Sequence, residues 1–438
     1  MLRHIGGRHL ARAHVARGLL ARTHLALALT IALPPLAAQV TVPQVKDNRQ
    51  PSLGLTHFID ADGFVRITAS SWVPEGWARL DGGIIAAASA PRYTATVGAT
   101  WGGNGTTTVG LPDAIGRTIA GAGGGLVAGT VHGSPTMTIT TPNLPVSQGG
   151  SAQPIENRQQ GLTMRYVVRT AGIFPQPDRV LEFGLNQIGA VAAFTGSVLP
   201  PGWAYAEGQV LNIATNQALY AVVGNTYGGS LAQGTFALPD LRGRVPIGVS
   251  GTAPLGTQAG GAQVVLTEAN VPPALGGGGA PFTNMEPTLA LHFGIQRTGQ
   301  FYINGEGRCP CEQLDFEGAP FIGEINMFAG LFAPMLPTSG QLLSISDNLL
   351  LYALIGNEYG GDGVTTFALP DLGGRVVVGA GESVQDPLRT LARGARVGVA
   401  EHVLQGQALV PEPSTYALLA TGLVGLGVLS RKRAMPRC

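Results

Sequence analysis

The sequence predicts an α+β fold that is mainly β: three tandem small modules with short helices and Gly/Pro-rich turns, followed by a C-terminal hydrophobic helix. Three observations carry this expectation. The 438 residues include 65 Gly and 31 Pro, a load that argues against long helices or a large parallel α/β sheet. Hydrophobic residues make up 45% of the chain and charged ones 12%, so it can build a core and is not disordered by composition. A set of spaced landmarks also recurs three times.

The first landmarks are Gly82, Gly208 and Gly340. Each is followed at one fixed interval by Gly98, Gly224 or Gly356, and shortly afterwards, again at one fixed interval, by Trp101, Tyr227 or Tyr359, which open glycine turns. The step from that aromatic to Pro112, Pro239 or Pro370 agrees to within one position across the three copies. Asp113, Asp240 and Asp371 follow, each in an i, i+4 relation to Arg117, Arg244 or Arg375. A second series confirms the register: Asn48 to Gly63, Asn157 to Gly172 and Asn284 to Gly299 are equal steps. Inside it Leu53/Leu55, Leu162/Met164 and Leu289/Leu291 alternate, which is strand periodicity. Asn143 and Asn270 precede Asn157 and Asn284 by the same step, so the repetition covers much of the chain between one landmark glycine and the next.

Between Gly208 and Gly224, Leu219, Val222 and Val223 at i, i+3, i+4 predict a short helix, with Thr215 as N-cap and Gly224 at the left-handed C-terminal position. Ser346 through Gly356 repeats the pattern. Trp77 and Trp203 are expected to pack over this helix as anchors. The Asp-Arg pairs are expected to fix a buried corner by charge-assisted hydrogen bonds. The Gly-Gly-Asn-Gly and Gly-Gly-Asp-Gly turns lack the Lys of a phosphate loop, and positive backbone angles account for their glycines equally well.

These blocks resemble the phage tail collar domain, and the whole unit is similar to bacterial proteins labelled microcystin-dependent. The residues that carry the likeness are Phe194-Thr-Gly-Ser-Val-Leu-Pro-Pro-Gly-Trp203 with Glu207-Gly208-Gln209, and Tyr359-Gly-Gly-Asp-Gly through Leu369-Pro370-Asp371. The first repeat keeps Pro74-Glu-Gly-Trp77 but has Ala114-Ile115 for Leu-Arg, and the third lacks the Pro-x-Gly-Trp. The resemblance implies collar-like modules over 39–172, 173–300 and 301–400. In them Trp77, Trp203, Tyr227, Tyr359, Pro239, Asp240, Arg244, Pro370, Asp371 and Arg375 are structural motif positions. In phage the resemblance implies a trimeric tail or fibre part, and three units in one chain lead to the expectation of an intramolecular pseudo-trimer.

Both ends carry export features. Arg3, Arg8, Arg12, Arg17 and Arg22 precede the apolar run Leu25–Leu33 and small residues near Ala38, the layout of a signal peptide over 1–38. A mitochondrial presequence is also Arg-rich and acid-poor, but the other terminus weighs against it. There Val410, Pro411, Glu412 and Pro413 lead into an almost uncharged stretch to Ser430, then Arg431, Lys432 and Arg433. This order resembles the PEP-CTERM sorting signal, here over 410–433. The stretch from Ser414 to Ser430 would span about 25 Å as a helix, the short limit for a bilayer core of about 30 Å. The resemblance implies an exosortase-type sorting enzyme as partner, a membrane anchor before processing, and release to the cell surface or extracellular matrix.

The ends are basic, leaving 18 basic and 25 acidic residues between them, a net of −7 that gives no footprint for nucleic acid. The three cysteines form no disulfide framework, and Cys309-Pro310-Cys311 reads as a local loop feature. Four of the eight His fall in the leader, and His57, His132, His292 and His402 occupy non-equivalent positions without metal-ligand spacing. No catalytic constellation repeats. The expectation is therefore a non-enzymatic surface or matrix protein with no cofactor and no metal, engaged in adhesion or assembly with extracellular polysaccharide or cell-surface components. The alternatives are a phage-derived tail fibre or baseplate protein, and a glycan-acting enzyme using carboxylates such as Asp81, Glu207 or Glu358.

Overall fold

Where Leu and Met alternate along the chain, strands form, and each repeat supplies the same four pieces in the same order. The computed structural model describes residues 39–407 except 75, 177–183, 197, 302–319, 333, 384–385 and 387–388. The first repeat contributes β1 (Ser52–Ile59), β2 (Phe64–Thr68), α1 (Pro91–Val97) and β3 (Thr118–Gly121). The second contributes β4 (Gly161–Arg169), β5 (Ala190–Phe194), α2 (Gln217–Val223) and β6 (Val245–Gly248). The third contributes β7 (Thr288–Ile295), β8 (Glu324–Phe328), α3 (Leu349–Ile355) and β9 (Val376–Gly379).

Three antiparallel hairpins, β1/β2, β4/β5 and β7/β8, meet because β2, β5 and β8 each pair with the other two. The last strand of each repeat runs parallel to the first strand of the next: β3 with β4, β6 with β7, and β9 back with β1. No repeat completes its own sheet, and the chain closes a ring about a pseudo-threefold axis. β1 and β2 are buried at every position, so the alternation sorts residues between two dry faces rather than between core and solvent.

Glycine permits the closest approaches in this ring. A Cβ at Gly121, Gly248 or Gly379 would lie 1.9, 2.0 or 2.0 Å from the carbonyl oxygen of Leu241, Leu372 or Ala114 of a neighbouring repeat. The helices bury the predicted positions Leu219, Val222 and Val223, and in α3 Leu351, Leu354 and Ile355. Their caps differ from expectation. Asn216 and Asn348 occupy the N-cap positions without a side-chain cap bond, their Nδ2 atoms donating back to the Asn212 and Ser344 carbonyls at 2.9 Å each, while Thr215 Oγ1 donates to the Asn212 carbonyl at 3.2 Å and Ser346 Oγ turns to Ser344 Oγ at 2.7 Å. Gly224 and Gly356 do take positive φ, +61° in both, but with extended ψ of −148° and −151°, outside the left-handed helical region.

At one end of the axis a separate apolar cluster, including Val40, Ile139, Ile155, Val271, Phe282 and Leu404, gathers the loops between repeats. There Gln39–Val40 pairs antiparallel with Gly406–Gln407, so the two ends of the described chain lie side by side. The hairpin connections at the other end have diverged. They span 60–63 in the first repeat, 170–189 in the second and 296–323 in the third. Gly172 and Gly299 therefore follow their strands in register, while the counterparts of Gly63 at the next hairpin strand are Gly189 and Gly323. The signal region, Cys309, Cys311 and the C-terminal segment with its expected hydrophobic helix lie outside the described residues. Among the described residues no helix is long and apolar enough to cross a membrane.

Candidate functional site

The repeated asparagines stitch the ring. Asn48, Asn157 and Asn284 are buried, and their Nδ2 atoms donate to the carbonyls of Arg158 (2.7 Å), Met285 (2.8 Å) and Arg49 (2.8 Å). Each acceptor directly follows the next repeat's Asn, so the three bonds run cyclically. Two positions beyond that Asn, Gln50 and Gln159 both donate through Nε2 to Glu286 Oε1, at 3.1 Å each. Burial pushes the Glu286 carboxyl up to about 8, against the lowering effect of the Gln159 hydrogen bond. Beyond this layer His57, Tyr166 and Phe293, together with Ile67, Ala193 and Met327, surround a cavity of about 20 Å³, room for little more than a water molecule. Burial pushes His57 down to about 4, leaving its ring neutral, and the Tyr166 hydroxyl donates to the Ile119 carbonyl at 2.9 Å. This axis is a packed spine with no room for a substrate.

The motif residues join one landmark to another. The amides of Gly82, Gly208 and Gly340 donate to the carbonyls of Pro112, Pro239 and Pro370 at 3.2, 3.1 and 3.3 Å, which clamps the Leu-Pro-Asp corner onto the start of the same repeat. The Asp-Arg pairs form in all three, at 2.7 Å for Asp113–Arg117, 3.6 Å for Asp240–Arg244 and 2.5 Å for Asp371–Arg375. In the second and third repeats they are partly exposed, not in a buried turn, so screening reduces their worth. Each Asp Oδ1 also accepts the amide two positions on, from Ile115, Arg242 and Gly373.

The aromatic landmarks act between repeats. The Tyr227 hydroxyl donates to the Ala329 carbonyl at 2.8 Å and that of Tyr359 to Ala69 at 2.9 Å. Trp77 stacks edge-on against Phe58 (5.1 Å) and against Phe321 of the third repeat (5.5 Å), and Trp203 lies 4.8 Å from Phe64 of the first. The two indoles thus find ring partners in strands and in a neighbouring repeat, where the sequence suggested the helices. The glycine turns are closed from within: Asp362 Oδ1 accepts the amides of Val364, Thr365 and Thr366 at 2.7–2.9 Å, and Asn104 Oδ1 those of Thr106, Thr107 and Thr108 at 2.8–3.0 Å. Amides used this way are not offered to a phosphate. The Thr365 hydroxyl, which donates to Asp362 Oδ2 at 2.6 Å, and then those amide bonds hold the Asp362 carboxyl well below the usual carboxylate range.

A roomier site lies off the axis. A cleft of about 300 Å³ opens between the first and second repeats, lined by Asp60, Asp62, Arg66, Arg169, Asn186 and Trp203. Asp60 Oδ1 accepts the amides of Phe64 (2.8 Å) and Asp62 (3.1 Å), and Oδ2 lies 3.9 Å from Arg66 Nε. Burial pushes the Asp60 carboxyl up to about 7, opposed by Arg66. Arg66 is committed to Glu324 at 2.6 Å, and Asp62 to Arg92 at 2.5 Å. Arg169 sits over the Trp203 ring at 5.3 Å, and burial lowers its pKa.

Asp81 and Glu207 occupy the same position in two repeats, at the bridges Asp81–Asp113 and Glu207–Asp240, so the pseudo-symmetry sets them apart. Glu358 pairs with Arg393. Among the described residues no group of three His, Cys, Asp or Glu could hold a metal ion. Several residues that the repeat pattern did not single out nonetheless follow it. Gln50, Gln159 and Glu286 stand two after the repeated Asn, and Gly121, Gly248 and Gly379 four after the repeated Arg. Asp60 and Arg169 stand at one equivalent position, the same step after Asn48 and Asn157, but carry opposite charges, and Asn186 lies in the diverged hairpin connection of the second repeat.

Comparison with known proteins agrees with this architecture. The Phage Tail Collar Domain model matches residues 63–119, 189–246 and 323–377, each stretch running from a hairpin's second strand to the parallel strand that joins the next repeat. The PEP-CTERM protein-sorting motif matches 409–433, which includes Val410, Pro411, Glu412, Pro413, Arg431, Lys432 and Arg433, outside the described residues. No curated protein and no solved structure matches the chain. The sorting motif marks an exported protein held at the cell surface by a C-terminal membrane anchor before an exosortase-type enzyme processes it. The chain carries three copies of the Phage Tail Collar Domain, a structural domain family, and a C-terminal PEP-CTERM motif: it is an exported structural protein sorted by an exosortase-type system.

Proposed function

We propose that the exported body is a non-enzymatic adhesion or assembly unit that engages extracellular polysaccharide or other cell-surface components. In this reading the modules 39–172, 173–300 and 301–400 work together as the covalent equivalent of a trimer, and the motif residues of each corner serve to hold that arrangement. The observation that carries it is the mutual pairing of β2, β5 and β8, with β9 returning to β1. The axial residues support it further. Gln50, Gln159 and Glu286 complement one another, as do His57, Tyr166 and Phe293, so one chain fills its own axis. A rigid body built this way suits display of binding surfaces at a fixed spacing, and function then resides in grafted surface sites. Light scattering of the segment 39–407 should return the mass of a single chain, and a threefold mass would overturn the pseudo-trimer. Surface-exposed protein should fall away from intact cells when 411–438 is deleted, and unchanged retention would remove the role of sorting in adhesion.

A further inference from the structure

Resting on that polysaccharide reading, we infer that the cleft between the first and second repeats binds an acidic sugar residue, with Arg169 pairing its carboxylate and Asp60, Asp62 and Asn186 meeting its hydroxyls. The volume, about 300 Å³, is at the small end of ligand sites and suits one residue of a glycan rather than a long segment. Charge selects the ligand class. Of the four charged groups that line the cleft among the described residues, three are already engaged: Arg66 by Glu324, Asp62 by Arg92, and Asp60 Oδ1 by two backbone amides. Arg169 is half-buried, and among the described residues it has no carboxylate partner. Among those residues its Nη1 donates only to the Pro201 carbonyl, at 3.2 Å. The guanidinium carbon lies over the Trp203 ring at 5.3 Å from its centre, a cation–π contact that holds the head group at the cleft, where its fork of donors suits a planar carboxylate.

The remaining lining argues against other anions and against cations. A phosphate dianion would face two aspartates with one uncommitted arginine, whereas a sugar acid brings a single charge and several hydroxyls. Asp60 Oδ2 and Asp62 accept from hydroxyls, and the Asn186 amide can both donate and accept. The raised pKa of Asp60 softens its repulsion of a nearby carboxylate. Phe64 and Trp203 supply an apolar wall for the carbon face of a pyranose ring. A metal ion would need carboxylates that are here spent on Arg92 and the backbone.

The test is calorimetric titration of the full chain with trimers of galacturonate, glucuronate and mannuronate, alongside a neutral glucose trimer, and retention of the chain on extracted extracellular polysaccharide. At least one uronate trimer should bind, the neutral trimer should bind about tenfold or more weakly, and Arg169→Gln should weaken the uronate about tenfold at unchanged melting temperature. Arg169→Lys, which keeps the charge but not the planar fork, should restore only part of that loss, and Asn186→Ala, away from the stacked ring, should weaken binding severalfold even if Arg169→Gln fails to fold. Indifference of the wild-type chain to all three uronates, equal affinity for the neutral trimer, or uronate binding unmoved by Arg169→Gln and Asn186→Ala would each overturn the site. A chain that is retained on polysaccharide yet ignores the uronates sinks this site and leaves the adhesion reading standing. A chain that binds a uronate trimer but no polysaccharide does the reverse.

Discussion

The contact from the third repeat to the first and that from the first to the second use the same backbone and different chemistry. Between β2 and β8, Arg66 meets Glu324 at 2.6 Å with both side chains at most 3% exposed. At the corresponding positions, three and one beyond the hairpin glycine, the first-to-second contact has Ala192 and Phe64. A similar asymmetry affects the aromatic landmarks. Tyr227 and Tyr359 hand a hydroxyl to the next repeat, whereas Trp101 in the first repeat buries an indole N–H that finds no acceptor among the described residues. The difference teaches that the ring is held by what all three repeats share, strand pairing and the glycine approaches. Polar pairs are local additions that distinguish one junction from another.

Breaking the ion pair should produce the largest effect. Glu324→Ala leaves the Arg66 guanidinium buried beside Trp77 without its partner and should cost about 3–5 kcal/mol in denaturant unfolding. A loss under about 1 kcal/mol would show that the third-to-first contact is no more polar in its energetics than its counterparts.

The axial layer sharpens the comparison through pH. Glu286 is the acidic member of a layer otherwise made of glutamines, and its carboxyl rises from the usual 4.5 to about 8 on folding. A raised folded value means the native state holds the proton more tightly. Its contribution is therefore fully present below about pH 4.5 and is lost as pH climbs through about 8. Glu286→Gln should leave stability at pH 4 nearly unchanged and raise it by about 1–3 kcal/mol at pH 9, seen as a flatter profile of melting temperature against pH. An unaltered profile would mean that this carboxylate is better solvated than its burial implies.

The smallest effect concerns the aromatic donors. Tyr227→Phe removes the bond to Ala329 and should cost about 1 kcal/mol, while Trp101→Phe, which removes no hydrogen bond among the described residues, should lose packing alone. Thermal melts of the two variants beside the parent chain measure both losses. A Tyr227→Phe variant as stable as the parent reduces the tyrosines to packing residues.

Much of the fold was legible because repetition exposed it. The Asn series located β1, β4 and β7, the apolar triplet at Leu219, Val222 and Val223 located α2, and the Leu-Pro-Asp spacing located the corners. The expected caps lie one or two positions from the observed ones because Thr215 and Ser346 have local polar competitors, Asn212 and Ser344, for their hydroxyls. The candidate cleft was not legible. Asp60 and Arg169 share one step after Asn48 and Asn157, but their opposite charges, and the place of Asn186 in the diverged connection 170–189, hide the site from a comparison of repeats.

By itself the sequence determined that one β-rich unit is written three times and that the chain is addressed for export, because intervals and short motifs are local properties of the chain. Tertiary structure alone decided that each unit finishes its neighbour's sheet, that Gln50, Gln159 and Glu286 share one axis, and that a half-buried arginine faces two aspartates across a junction. Those relations join residues far apart in the chain. They arise from the physical need to pair every strand edge and fill a common core, which no single repeat can satisfy alone.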